Sequence, residues 1–120
     1  MIYTSGSYAG ALLVILVHAQ RPMLRVPYHC FVVDVPADLE IAVIAPDEVP
    51  GWEAADYAAS RKAGDAWLDA GQSALVRVPA VTGYPFEFNV LINPRHADVA
   101  RLRLDGPYPV VWARRLLDGP

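Results

Sequence analysis

Charge is scarce in this chain, cysteine occurs once, and no hydrophobic run is long; each shortage excludes something. Asp, Glu, Lys and Arg make up 19% of the 120 residues against 54% hydrophobic, with a net charge of -3. An acidic balance with arginines dispersed from Arg61 to Arg115 argues against direct nucleic-acid binding, which needs clustered cations to displace counterions from the phosphate backbone. The single Cys30 has no partner for an internal disulfide and suits a reducing compartment. The most apolar run, Ala9 to Val17, is about half of the ~18 residues that read as membrane-spanning. No basic leader precedes it, since the first cation is Arg21, and His18-Ala19-Gln20 is not a small-x-small cleavage site. Cytoplasmic residence is the resulting expectation. No repeat or low-complexity segment divides the chain, so one domain over residues 1–120 is expected.

Hydrophobic patterning places the elements. Ile2-Tyr3 reads as the end of a short strand, and Ser5 or Ser7 is placed to cap a helix running to about His18. Leu12, Leu13, Leu16 and Val17 form a helical stripe, but Val14 and Ile15 make the helix apolar nearly all round, which predicts burial. Arg21-Pro22 stops it. Tyr28 to Val35 is apolar on both faces and reads as a central strand covered on both sides. Ile41 to Ile44 is a strand or a helical turn, and Pro46 to Gly51 is a loop. Ala54 to Ala70 is a helix with Ala59, Ala63 and Trp67 on one face, ended by Gly71-Gln72. Strands follow at Ala74 to Val78 and Asn89 to Ile92, closed by Pro79 and Pro94, then an edge strand at Arg101 to Leu104 and a last strand at Val110 to Ala113. The sum is an α/β domain with a mixed sheet.

Few residues outside these patterns ask for chemistry. His29 and Cys30 are neighbours on a strand, point to opposite faces and cannot share a metal ion, so no metal is expected. Cys30 reads as a buried thiol, and His18 as a group complementing the dipole at a helix end. Trp52 and Trp67 read as core anchors, Asn89 and Asn93 as backbone satisfiers, Glu87 as a solvated strand-end acid, and Asp34, Asp38 and Glu40 as a solvated turn.

Six segments in order carry a resemblance: Tyr3-Thr4-Ser5 with Ala11-Leu12-Leu13 and Leu16-Val17-His18; Val49-Pro50-Gly51-Trp52; Gly64-Asp65-Ala66-Trp67-Leu68; Val78-Pro79; Asn89 to Pro94 with His96; and Trp112 to Leu116. Together they resemble the RES domain, a family of bacterial NAD-consuming toxins from toxin-antitoxin pairs. The resemblance implies an α/β fold similar to ADP-ribosyltransferase-type toxin domains, NAD as substrate without a metal, and glycosidic cleavage by hydrolysis, phosphorolysis or ADP-ribosyl transfer. It implies a helical Xre-type antitoxin as partner, and it leaves weak homo-oligomerisation open.

The departures from the family pattern fall on the residues that name it, an Arg, a Glu and a Ser. The position of the Glu is Val14 and that of the Ser is Ala80. The segment with the Arg would precede Tyr3, so the expectation is a domain incomplete at its N-terminus. Tyr3 and Ser5 are the expected NAD-binding residues, and no catalytic residue is expected intact. The implied function is a toxin with impaired catalysis, or alternatively a catalytically dead module that binds its antitoxin and leaves NAD untouched.

Overall fold

A computed structural model describes residues 1–18 and 24–118. The sheet begins in the middle of the chain, where Leu75 to Pro79 (β4) runs antiparallel to Phe88–Ile92 (β5), with Leu75 opposite Ile92 and Val78 opposite Asn89. Ile2–Ser5 (β1) pairs antiparallel with the other edge of β5, Tyr3 lying opposite Leu91. Ile41–Val43 (β3) adds to β4 in parallel, so the four-stranded sheet has the order β1-β5-β4-β3 and is mixed. His29–Asp34 (β2) stands outside it and, among the described residues, pairs only with Arg103–Pro109 (β6), as a two-stranded antiparallel ribbon.

The side-chain period of two in a strand decides where the core lies. Leu75 and Val76 are successive residues that point to opposite faces, and both are fully buried, so β4 is the strand covered on both sides. On one face Leu39, Ala74, Leu75 and Ile92 form the core cluster, with Val33, Val90, Val99 and Leu102 packed around it. Val33 comes from β2, and Val99 from the 3-10 turn Ala97–Arg101. A 2.6 Å bond from Arg101 to the Asp38 carboxylate braces this layer and holds the Asp38 carboxyl below the usual carboxylate range. Asn93, buried beside the core, satisfies three backbone groups: its N–H donates to Ala74, its amide to Leu68, and its side-chain oxygen accepts from the N–H of Arg95.

The opposite face carries the helices Tyr8–His18 (α1) and Ala58–Ala70 (α2). The buried Gly64 lets α2 sit close to the sheet, since a Cβ there would stand 3.3 Å from the Met1 methyl and 4.0 Å from Leu91. Gly71, with φ of 61°, ends α2 in the left-handed conformation, where glycine carries no Cβ penalty. A short helix, Arg114–Asp118 (α3), follows β6.

Several elements differ from what the sequence pattern predicts. α1 is apolar but has no buried residue; Leu13 and Val17 are 43% and 57% exposed. Its two sides face open spaces, one over the sheet and one a groove formed with Val111 to Ala113 and Leu116. β2 is not a central strand: Phe31 and Val32 are each about half exposed, because the ribbon has only one partner layer. The last strand is β6, starting at Arg103; Val110 to Ala113 is irregular and leads into α3. Cys30 is half-buried rather than buried. The helix expected from Ala54 starts at Ala58, after a left-handed Tyr57. The expected stop at Arg21-Pro22 lies outside the described residues.

Leu75→Ala should lower stability by about 2–5 kcal/mol, the cost of a large-to-small change at a fully buried site. Phe86→Ser, at a side chain 89% exposed, should stay within about 0.5 kcal/mol of the parent. Urea unfolding followed by far-UV circular dichroism checks both.

Candidate functional site

Between the sheet and the two helices lies a cavity of about 410 Å³, within the roughly 300–1,000 Å³ typical of small-molecule sites. Strand pairing builds its floor. Tyr3, Leu91 and Val76 lie in one row across β1, β5 and β4, and Ser5, Asn89 and Val78 in the next. Tyr3, Leu91, Asn89 and Val78 line the cavity, while the inner Val76 is sealed beneath it.

α1 supplies Val14, Val17 and His18 as one wall, spaced to share a helix face. α2 and its entry supply the opposite wall: Tyr57, Ser60, Arg61 and Ala63, with Gly64 at the closest approach. The segment after β3 adds Ile44 to Pro46, Val49 and Trp52. Its position is fixed by hydrogen bonds, since Ser60 Oγ donates to the Trp52 carbonyl at 2.8 Å and Glu48 accepts from the Ala45 N–H.

The loop between β4 and β5 closes the remaining side. Val81 and Thr82 reach the cavity, and Tyr84 packs edge-on against Trp52 with ring centroids 5.0 Å apart. Glu87 anchors the other end of this loop: it accepts a 2.8 Å bond from Ser7 Oγ, which itself caps α1 by accepting from the Gly10 N–H. Glu87 is therefore bonded to the start of α1 rather than merely solvated, and it is not part of the cavity lining. Gly83 has to be glycine here, with φ of 102° and the Glu87 Cβ 2.7 Å from where a side chain would begin.

Chemically the cavity is an apolar cleft with a polar fringe. Its hydroxyls are those of Tyr3, Tyr57, Ser60 and Thr82, its amide is Asn89, its guanidinium is that of Arg61 and its imidazole that of His18. No Asp or Glu is among the described residues lining it. Nor does any group of three His, Cys, Asp or Glu among the described residues come close enough to hold a metal ion.

The RES domain family matches residues 1–113 of this chain. This chain belongs to the RES domain family. It is also 31% identical, over 107 residues, to the Prs ADP-ribosylating toxin of Sphingobium sp. (strain YBL2). That match covers 86% of this chain and 66% of the toxin, so the chain spans just under two thirds of the relative's length.

The residues expected from the resemblance to bear on the site are placed as follows. Tyr3 and Val14 line the same cavity from β1 and α1. Ala80 is buried between two lining residues, Pro79 and Val81, and its N–H points to the Glu87 carbonyl at 3.4 Å. Ser5 shares the face of Tyr3 but is not part of the lining. Trp52 and Asn89, read from sequence as a core anchor and a backbone satisfier, both border the cavity. Sequence reasoning missed Tyr57, Ser60, Arg61 and Thr82. Arg61 stands three residues before the Gly64-Asp65-Ala66-Trp67-Leu68 segment, and that helical spacing was its only signal.

Ser7→Ala should cost about 0.5–2 kcal/mol, the usual loss for an N-terminal helix cap. It should also release the Glu87 end of the loop, shifting the tryptophan emission through the Trp52–Tyr84 contact. Urea unfolding and fluorescence of Ser7→Ala beside Glu87→Gln test this, with the smaller change expected for Glu87→Gln, which leaves the cap in place.

Proposed function

We propose that this chain is a toxin-type RES domain that binds NAD in the cavity under α1 and α2 and is impaired in cleaving its nicotinamide–ribose bond. The observation that carries this reading is the lining itself: Tyr3 and Val14 border one cavity of ligand size, and no carboxylate is among the described residues that line it. Breaking a glycosidic bond develops oxocarbenium character on the sugar, which a facing carboxylate stabilises. Val14 holds the position of the family Glu and offers only methyl groups. Loss of one well-placed polar group in such a site costs about a hundredfold or more in rate, roughly 3–4 kcal/mol.

The remaining roles follow from position. Tyr3, 69% exposed at the edge of the cavity, offers its ring to the nicotinamide side, and the Ser5 hydroxyl follows two residues along the same face of β1. Ala80 occupies the place of the family Ser and lacks its hydroxyl. The relative's name, an ADP-ribosylating toxin, favours ADP-ribosyl transfer among the family's reactions. A helical Xre-type antitoxin is the proposed partner. The half-exposed apolar side chains Leu13 and Val17 on α1 give such a protein an apolar surface beside the cavity.

NAD should quench the tryptophan emission of the purified protein, while nicotinamide release, followed by chromatography, should stay at background. Val14→Glu should raise release at least tenfold, and Val14→Glu with Ala80→Ser further still. Rapid release by the unsubstituted chain would show that catalysis does not need the carboxylate. Failure of NAD to bind at all would remove the cavity from consideration as its site.

A further inference from the structure

The cavity's electrostatics run against those of the chain. The protein carries a net charge of -3, yet the cavity is bordered by the cation Arg61 and by no acid among the described residues. A cleft with apolar walls and one sign of charge focuses its field on ligands of the opposite sign. We propose that the Arg61 guanidinium is the anion anchor of this site, gripping a phosphate or pyrophosphate joined to a planar ring. This rests on the reading of the cavity as a nucleotide site and names the residue that selects the ligand's charged part.

Three further features support the assignment. First, Arg61 makes no side-chain hydrogen bond or ion pair among the described residues, whereas Arg25, Arg101 and Arg114 are each engaged with an Asp. Its fork of donors is free to meet phosphate oxygens two at a time, which a lysine cannot do. Second, its backbone is held firmly. Its N–H donates to the Tyr57 carbonyl at 2.8 Å, the adjoining Ser60 is tied to Trp52, and α2 approaches the sheet closely at Gly64. Third, the same cavity offers flat aromatic surface at Tyr3 and Trp52, with Trp52 steadied edge-on by Tyr84. The site therefore offers both a cation for an anion and aromatic surface for a ring, and Arg61 is the sole arginine among the described lining residues.

Trp52 gives the test its signal. Titration of the full chain with ADP-ribose, with adenosine and with nicotinamide separates the charged part of the ligand from its rings. Arg61→Gln should weaken ADP-ribose at least tenfold, flatten its dependence on salt, and leave adenosine and nicotinamide unchanged. Arg61→Lys should fall between the two. Lys62→Gln, on the same turn of α2 but outside the lining, should behave like the parent. Because Arg61 is exposed, its variants should keep the parent melting temperature. ADP-ribose affinity within twofold of the parent in Arg61→Gln overturns the anchor; if Tyr3→Ala weakens binding in that case, the cavity remains the nucleotide site and the anion is held elsewhere. If the parent chain binds none of the three ligands, the nucleotide reading of the cavity fails and the anchor fails with it.

Discussion

Burial of β4 on both faces is the constraint from which the rest of the molecule follows. Leu75 pins the layer formed by Leu39, Ile92 and the neighbouring valines, while Val76, one residue on, seals the floor beneath the helices. Neither face can be stripped without exposing a fully buried side chain. β5, paired to β4 on one side and β1 on the other, carries that rigidity outward, so Tyr3 and Asn89 are held in register by backbone hydrogen bonds rather than by loops. The cavity inherits a stiff floor, which a site needs when positions must be kept to fractions of an ångström.

The walls are held differently. α1 buries none of its residues completely and is joined to the sheet through local bonds at its start, where Ser7 caps the helix and reaches Glu87. α2 is fixed by close packing at Gly64 and by the tie from Ser60 to Trp52. A site with a stiff floor and one loosely packed wall can admit a ligand without disturbing the core. An apolar helix left half exposed also has surface to offer a protein partner, consistent with a chain poor in charge.

Element types were legible where local signals were strong: the Gly71 stop, the Ser7 cap, the proline-closed strands β4 and β5, and the alternation within them. Covering was not legible. Tyr28 to Val35 and Ala9 to Val17 are as apolar as buried elements, and nothing local reveals that β2 has β6 as its only strand partner among the described residues or that α1 faces an open space on each side. Burial depends on what packs against an element, which is decided by residues far away in the chain. For the same reason Trp52 passed as a core residue: its neighbour Tyr84 and the wall it faces come from segments about thirty residues distant.

By itself the sequence determined most of the strand and helix types and the family, because these depend on local residue pattern and order. Only the tertiary structure decided that Tyr3 and Val14 face one cavity, that Ala80 lies buried behind its rim, and that Arg61 joins them. Those residues are brought together by the pairing of β1 with β5 and the descent of α2 onto the sheet, and distance in space is not encoded in distance along the chain.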